Sequence, residues 1–187
     1  IKYNIKDQIS GYKLYKKKTL KKILRYVKED QNFLVSLVYY FVVLNFKNNV
    51  LNVEDVSVIR IAEIIGTPAY IYSKKSFENN FNNFSNTLKK VLGPKSDILV
   101  AYSIKSNSNI AVIDILNSLH SGADVVSIGE LQRALKVGIP PDKIVFSGVG
   151  KTQEEMVFGL DKNILQFNVE SLEELKKLSE ISISKGK

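Results

Sequence analysis

From residue 45 onward, short apolar segments alternate with longer amphipathic ones. The apolar segments are rich in β-branched side chains, which is typical of buried strands, and the segments between them have helical spacing. Four strand-helix pairs follow one another, with strands at 98–104, 123–126, 144–146 and 165–169 and helices at 109–119, 129–137, 152–160 and 171–181. Successive units of this kind predict a parallel sheet, as in a doubly wound fold or half of a (β/α)8 barrel.

A lead-in segment precedes these four units. Asn48-Asn49 separates two short apolar runs and predicts a turn, as in a hairpin or a bent strand. Asp55 is placed to cap a helix over 56–65, and residues 69–72 have the composition of a strand. The stretch 76–92 carries aromatic and leucine side chains at helical spacing and predicts a long helix before the barrel-like repeat.

The loops between strands and helices are rich in small polar residues. Three helices are predicted to begin with a capping box, formed by Ser127 with Glu130, Thr152 with Glu155 and Ser171 with Glu174. The sequence Gly150-Lys151-Thr152 suggests a phosphate-binding loop, but that motif requires a glycine where Val145 stands. We therefore interpret this segment as a tight turn at the functional face of an α/β fold.

The positive charge of the chain is confined to its first segment. Residues 1–50 carry 11 Lys or Arg and 3 Asp or Glu, which accounts for the whole net charge of +8. The remainder is balanced, so charge gives no support for nucleic-acid binding. The apolar run at 33–44 is shorter than the roughly 20 residues that span a bilayer. We interpret residues 1–44 as an appendage whose apolar run fits a buried strand or an aggregation-prone extension.

Composition excludes several kinds of site. The chain has no cysteine, so neither a disulfide framework nor a thiolate metal site is possible, and no metal is expected. Its one histidine, His120, follows an apolar helical stretch and precedes a glycine, a position typical of a cation at a helix end. A Ser-His-Asp site would have to use that residue. Without an export signal or cysteine bridges, we expect a cytoplasmic protein.

The strand at 98–104 is followed directly by Lys105. Desolvation of an ammonium beside a parallel sheet is costly, and it makes the amine a better nucleophile toward an aldehyde. Asp124 lies in the next strand and Glu130 opens the helix after it, so both carboxylates are expected on the face that presents Lys105. Other interpretations stay open: Lys105 as a solvated strand-end lysine, Asp124 as a helix cap or loop residue, and Glu130 as the capping partner of Ser127.

Three segments together resemble one family of enzymes. They are 102–109 (YSIKSNSN), 122–127 (GADVVS) and 129–131 (GEL). They are similar to the alanine-racemase-type barrel decarboxylases, whose members act on diaminopimelate, ornithine or arginine. Four further segments resemble the members of this family that act on diaminopimelate. They are 49–56 (NVLNVEDV), 66–73 (GTPAYIYS), 146–152 (FSGVGKT) and 167–171 (FNVES). The resemblance runs from about Phe46 to the end of the chain and leaves 1–44 unmatched.

The resemblance implies a fold, a cofactor and a reaction. The fold is an incomplete (β/α)8 TIM-type barrel, alanine-racemase-like, comprising the first four strand-helix units and the lead-in. Lys105 is expected to carry pyridoxal 5'-phosphate as a Schiff base, with Asp124 and Glu130 flanking it. The reaction is the decarboxylation of meso-diaminopimelate to L-lysine, and the 187 residues by themselves are expected to be inactive.

The resemblance also implies domains and partners. Residues 45–75 are expected to be lead-in elements associated with a further β domain, and 76–187 the first half of the cofactor-binding barrel. The partners expected are an amino-acid substrate and a second copy of the protein in a homodimer, with neither nucleic acid nor membrane. The alternatives are a decarboxylase of ornithine or arginine, a non-catalytic homologue that binds pyridoxal phosphate, and an interaction protein built on the basic arm at 1–44.

Overall fold

The computed structural model describes residues 44–47, 49–93 and 96–187. The predicted extension at 1–44, with its apolar run, lies outside these residues apart from Leu44. The chain divides into two compact units, one ending at Ser76 and the other beginning at Phe77. Within the described ranges, no helix combines the length and the apolar composition needed to cross a bilayer.

The first unit contains a three-stranded antiparallel sheet and a short helix. The strands are β1 (Leu44–Lys47), β2 (Val50–Val53) and β3 (Val56–Ser57), and the helix is α1 (Val58–Ile65). Lys47 pairs with Val50, and Asn49 between them has a φ of 63°. The predicted turn is therefore confirmed as a two-residue hairpin, in which an asparagine adopts the left-handed conformation more readily than most residues.

Two predictions for the first unit were wrong. The cap of α1 is Ser57, whose hydroxyl oxygen accepts the Arg60 N–H at 3.4 Å, whereas Asp55 lies in the preceding turn and pairs with Lys47 at 2.7 Å. Residues 69–72 belong to neither sheet. Strand propensity reflects packing against neighbouring strands, and the described residues offer this segment no such partner.

The second unit consists mainly of a parallel sheet whose strands are connected by helices. Its helices are α2 (Lys74–Leu92, which begins in the first unit), α3 (Ile110–Ser118), α4 (Ile128–Lys136), α5 (Gln153–Lys162) and α6 (Leu172–Ser184). Its strands are β4 (Ala101–Ser103), β5 (Gly122–Val125), β6 (Ile144–Phe146) and β7 (Gln166–Phe167). Single 3-10 turns occupy Ile104–Ser106 and Pro141–Lys143. All four predicted strand-helix units are confirmed, with bounds that differ by a few residues.

The four strands are parallel and lie in chain order, β4-β5-β6-β7. A doubly wound sheet reverses its strand order at a switch point, whereas a barrel adds each strand beside the previous one. The order therefore favours the first half of a barrel. His120 lies just beyond α3 with a φ of 64°, in keeping with its predicted place at a helix end.

The core of the second unit lies between the sheet and the helices. Its buried members are Ile104, Ile113, Ala123, Val125, Leu131, Ala134, Ile139, Ile144 and Phe146. The rings of Phe146 and Phe167 stack at 5.8 Å across the β6–β7 pair. Because the core residue Ile104 precedes Lys105 directly, it fixes the end of β4 from which the lysine follows.

Gly159 inside α5 packs against this core. A Cβ at this position would lie 2.5 Å from Phe167 Cζ and 3.1 Å from Ile164 Cδ1. We expect Gly159→Ala to lower the free energy of unfolding by about 1–3 kcal/mol, because overpacking forces its neighbours to move. Gly129→Ala is the matched control, since the nearest atom to a Cβ there is 3.9 Å away. Denaturant titration should show the control unchanged or stabilised by up to about 1 kcal/mol; equal losses would contradict the packing argument.

Candidate active site

Lys105 lies at the carboxyl edge of the parallel sheet, in the 3-10 turn that follows β4. Its side chain is exposed, and within the described residues its amine makes neither a hydrogen bond nor an ion pair. The described residues therefore do not bury the Lys105 side chain, and the predicted desolvation of its ammonium is not observed. The structure instead presents an uncommitted primary amine at the edge where α/β proteins bind their ligands.

The backbone around Lys105 is held by several hydrogen bonds. Ser106 Oγ donates to the Ser103 carbonyl at 2.7 Å, and Tyr102 donates its hydroxyl to the Asn107 carbonyl at 3.2 Å. Arg133 from α4 donates to the Ser108 carbonyl at 2.8 Å. The backbone that carries Lys105 is thus fixed on both sides of the residue, while its amine keeps no partner among the described residues.

Asp124 belongs to β5 and is paired in register with Ser103. Its Oδ2 accepts the Ser103 hydroxyl at 3.2 Å, and its Oδ1 accepts the Ser147 hydroxyl at 2.5 Å. The helix after β5 is capped by Ser127, so Asp124 is neither a helix cap nor a loop residue. Two hydroxyl donors therefore hold a carboxylate beside the strand end that leads to Lys105.

Glu130 lies in the first turn of α4 and binds the loop before it. Its backbone N–H donates to Ser127 Oγ at 3.3 Å, and its carboxylate accepts the Val126 N–H at 2.9 Å. Ser127 therefore caps α4 as predicted. The Glu130 carboxylate, however, accepts the N–H of Val126 rather than the N–H of Ser127, so the predicted capping box is not closed. The described contacts place Glu130 at the same edge as Lys105, where it fixes the β5–α4 loop.

Of the other two predicted capping boxes, one is complete. Thr152 and Glu155 satisfy one another at the start of α5. At α6, Ser171 accepts the Glu174 N–H at 3.1 Å, but the Glu174 carboxylate binds Lys151 instead of returning to the cap. A sequence pattern shows which side chains could close a box but not which other donors compete for them.

Glu155 also joins two helices at the carboxyl edge. Its carboxylate accepts the N–H groups of Thr152 and Ile128, each at 2.9 Å. Burial acts to raise the pKa of Glu155, but these hydrogen bonds outweigh it and hold the pKa below its usual value of 4.5.

Because the folded-state pKa is depressed, the stabilisation by Glu155 is present above about pH 4.5 and is lost as pH falls through the folded-state value. We expect Glu155→Gln to lower the melting temperature at pH 6, and the difference from the natural protein to shrink toward pH 3. Melting curves across this range check the prediction. A difference that stays constant with pH would contradict it.

Lys151 is a buried lysine that the motif Gly150-Lys151-Thr152 did not explain. Its ammonium donates to the carbonyls of Gly148 and Asn168 and to the Glu174 carboxylate, each at 2.7 Å. The side chains of Lys151 and Glu174 are 2% and 8% exposed. All three ammonium protons are used, so Lys151 ties the β6–α5 loop to the start of α6 and has no donor left for a phosphate.

Two polar residues at this edge, Ser147 and Asn168, were not predicted from the sequence. Ser147 follows β6 and donates to Asp124, and Asn168 follows β7 and donates from Nδ2 to Ser147 Oγ at 2.9 Å. Ser147 stands directly after the apolar strand β6, and Asn168 directly after Phe167 at the end of β7. That position is the signal that could have found them, because the carboxyl ends of parallel strands share one edge of the sheet.

Comparison with known proteins identifies the family. Residues 74–185 match the family described as pyridoxal-dependent decarboxylase, pyridoxal binding domain. The chain belongs to this family. The match confirms both the family resemblance and the pyridoxal cofactor expected from it.

Individual relatives agree with the family match. Diaminopimelate decarboxylase of Zymomonas mobilis is 44% identical over 143 residues, covering 76% of this chain and 34% of that protein. The crystal structure of diaminopimelate decarboxylase from M. jannaschii with L-lysine matches with a TM-score of 0.74 at 36% identity, covering 77% of this chain and 33% of that one. The alanine-racemase-like partial barrel is thereby confirmed. The chain spans about a third of the length of the curated relatives it matches.

The residues of the candidate site suit pyridoxal phosphate on structural grounds. The cofactor is an aldehyde and requires a primary amine that is not already paired, which Lys105 supplies. Two residues further on, the buried Asn107 Nδ2 has no hydrogen-bond partner among the described residues. An unsatisfied buried donor beside a free amine is typical of a site completed by another group.

Proposed function

We propose that this chain supplies the lysine-bearing part of the cofactor site of a carboxy-lyase that converts meso-diaminopimelate to L-lysine. The observation that carries the proposal is the uncommitted amine of Lys105 at the strand edge beside the doubly hydrogen-bonded Asp124. The curated relatives support the substrate, since proteins named diaminopimelate decarboxylase are 39% to 49% identical to the matched segments.

In this proposal each residue has a distinct task. Lys105 binds the aldehyde carbon of the cofactor through Nζ, and Asp124 and Glu130 flank it as negative charges that orient the amine and balance positive charge. The bound cofactor supplies an electron sink for the electrons left when carbon dioxide departs. The Lys105 amine would also be placed to transfer a proton at the substrate.

The second candidate function is decarboxylation of ornithine or arginine. Solved structures of such decarboxylases are similar to this chain in fold alone. A lysine/ornithine decarboxylase from Vibrio vulnificus, for example, is 19% identical with a TM-score of 0.59. A non-catalytic homologue is disfavoured by the presence of Lys105, Asp124 and Glu130 together. We also propose a cytoplasmic homodimer, with residues 45–75 as lead-in elements and 76–187 as the barrel half.

A substrate panel tests the proposed reaction. The complete natural polypeptide that contains these residues would be purified, loaded with pyridoxal phosphate and assayed for carbon dioxide release from meso-diaminopimelate, L-ornithine and L-arginine. We expect turnover with meso-diaminopimelate, with L-lysine as the product, and none after removal of the cofactor. A higher kcat/KM with ornithine or arginine would overturn the substrate assignment, and turnover without the cofactor would overturn the mechanism.

A further inference from the structure

A continuous chain of hydrogen-bonding side chains crosses the carboxyl edge of the parallel sheet. It begins at Ser103, the last residue of β4, passes through Asp124 in β5 and Ser147 just after β6, and ends at Asn168 just after β7. Every strand of the described half-barrel contributes one member. Asp124 is the only charged member of this chain and accepts from both sides.

The direction of each bond in this chain is fixed by its neighbours. Gln166 Nε2 donates to Asn168 Oδ1 at 2.5 Å, which leaves the Asn168 amide nitrogen to donate to Ser147 Oγ. Because Ser147 Oγ accepts there, its single proton is directed to Asp124. The part of the chain from Asn168 through Ser147 to Asp124 therefore runs in one direction, so its two hydrogen bonds strengthen one another and hold Asp124 more firmly than an isolated hydroxyl would.

The backbone holds Ser147 and Asn168 at the edge of the sheet. The Ser147 N–H donates to the Val125 carbonyl at 2.8 Å and the Asn168 N–H to the Phe146 carbonyl at 2.9 Å, continuing the ladder of the parallel strands. The buried Lys151 ammonium donates to the Asn168 carbonyl. The side chains of Ser147 and Asn168 therefore extend from backbone that has little freedom to follow a change in the site.

We propose that Ser147 and Asn168 are positioning residues that set the orientation of the Asp124 carboxylate toward the cofactor site. The proposal rests on the assigned roles of Lys105 and Asp124 in the proposed function. Without the Ser147 hydroxyl, Oδ1 loses its short hydrogen bond and only the 3.2 Å bond from Ser103 remains. One remaining donor no longer prevents rotation of the carboxylate, so its charge is less well placed beside Lys105.

The test measures cofactor affinity rather than turnover. Apo-protein of the complete natural polypeptide would be titrated with pyridoxal phosphate, and the dissociation constant read from visible absorbance. We expect Ser147→Ala to raise this constant by roughly 10-fold or more, the size typical of a lost hydrogen bond to a charged group. Asn168→Ala, which acts through Ser147, should raise it by a smaller factor.

A double-mutant cycle separates positioning from general stability. In an Asp124→Ala background, Ser147→Ala should change the dissociation constant by less than about 2-fold, because the group it positions is gone. Ser121→Ala is the matched control: Ser121 is 1% exposed, and its hydroxyl binds backbone carbonyls at the opposite end of β5. The control should leave cofactor affinity unchanged even where it lowers the melting temperature.

The outcomes distinguish this proposal from the function on which it rests. If the natural protein binds no pyridoxal phosphate, the proposed function fails. If the natural protein binds it and Asp124→Ala weakens binding while Ser147→Ala and Asn168→Ala do not, only the positioning role is overturned. Equal effects of Ser147→Ala with and without Asp124 would also overturn it, because the serine would then act independently of the carboxylate.

Discussion

Replacing Lys105 with alanine is expected to reduce kcat by about 10³-fold or more and to remove the visible absorbance of the bound cofactor. The variant loses the amine that binds the aldehyde and the group that transfers a proton, and proton transfer alone contributes about 10²–10⁴-fold. The stability of the cofactor-free protein should be unaffected, because the exposed side chain has no partner among the described residues. Steady-state kinetics and an absorbance spectrum of the loaded protein, with a melting curve of the cofactor-free protein, check all three parts.

Two further variants make the Lys105 prediction specific. Lys105→Arg keeps the positive charge, but a guanidinium is not deprotonated at neutral pH and does not condense with the aldehyde, so it should be as inactive as the alanine variant. Lys136→Ala removes another exposed lysine, in the last turn of α4, and should behave like the natural protein. Near-normal activity of Lys105→Arg would show that Lys105 acts only through its charge and would remove its assigned role.

Replacing Lys151 with methionine is expected to lower the free energy of unfolding by about 3–5 kcal/mol. Both side chains of the Lys151–Glu174 pair are buried, and removal of one partner leaves the other as an uncompensated buried charge. Two carbonyls, of Gly148 and Asn168, lose their donor at the same time. Denaturant titration of the complete protein measures the loss.

The double variant Lys151→Met with Glu174→Leu identifies the cause of that loss. Replacement of both charges by apolar side chains should restore most of the stability, because no charge remains to be desolvated. Lys177→Met is the surface control, since its ion pair with Glu180 spans 3.4 Å between exposed side chains and is worth at most about 1 kcal/mol. A loss of similar size at Lys177, or none at Lys151, would contradict the importance of the buried pair.

The sheet could be predicted from the sequence because its signals are local. Runs such as 144–146 are apolar and β-branched, each is bounded by turn residues, and capping serines and threonines mark where the helices begin. The alternation of strands and helices does not give the strand order, so it fits both a doubly wound sheet and half of a barrel. The order follows from contacts between residues far apart in the chain, such as Ser103 with Asp124, which no local pattern contains.

The errors in the predicted helix caps share one physical cause, which is competition for a hydrogen-bonding partner. Asp55 has the right chemistry for a helix cap, but Lys47 binds its carboxylate and Ser57 caps the helix. Glu174 was predicted to close a box with Ser171, yet it neutralises Lys151 in the interior. Each carboxylate binds the donor that the fold brings closest to it.

The candidate residues could be named from the sequence, but their hydrogen bonds could not. Lys105, Asp124 and Glu130 are singled out by their positions near the carboxyl ends of strands together with the family resemblance, and their roles stay predictions. The sequence does not decide between a desolvated and a solvated Lys105, because burial depends on what surrounds a strand end rather than on the strand; the side chain is exposed in the structure. Ser147 and Asn168 are common polar residues, and only their hydrogen bonds to one another and to Asp124 distinguish them.

Reductive trapping of the cofactor tests the central claim most directly. The complete protein would be incubated with pyridoxal phosphate, reduced with sodium borohydride and digested, and the modified peptide identified by mass spectrometry. We expect the pyridoxyl group on the peptide that contains residues 102–109, attached to Lys105, and no label on the Lys105→Arg variant. A label on another lysine in the natural protein, or none at all, would contradict the assignment of Lys105 as the cofactor-binding residue.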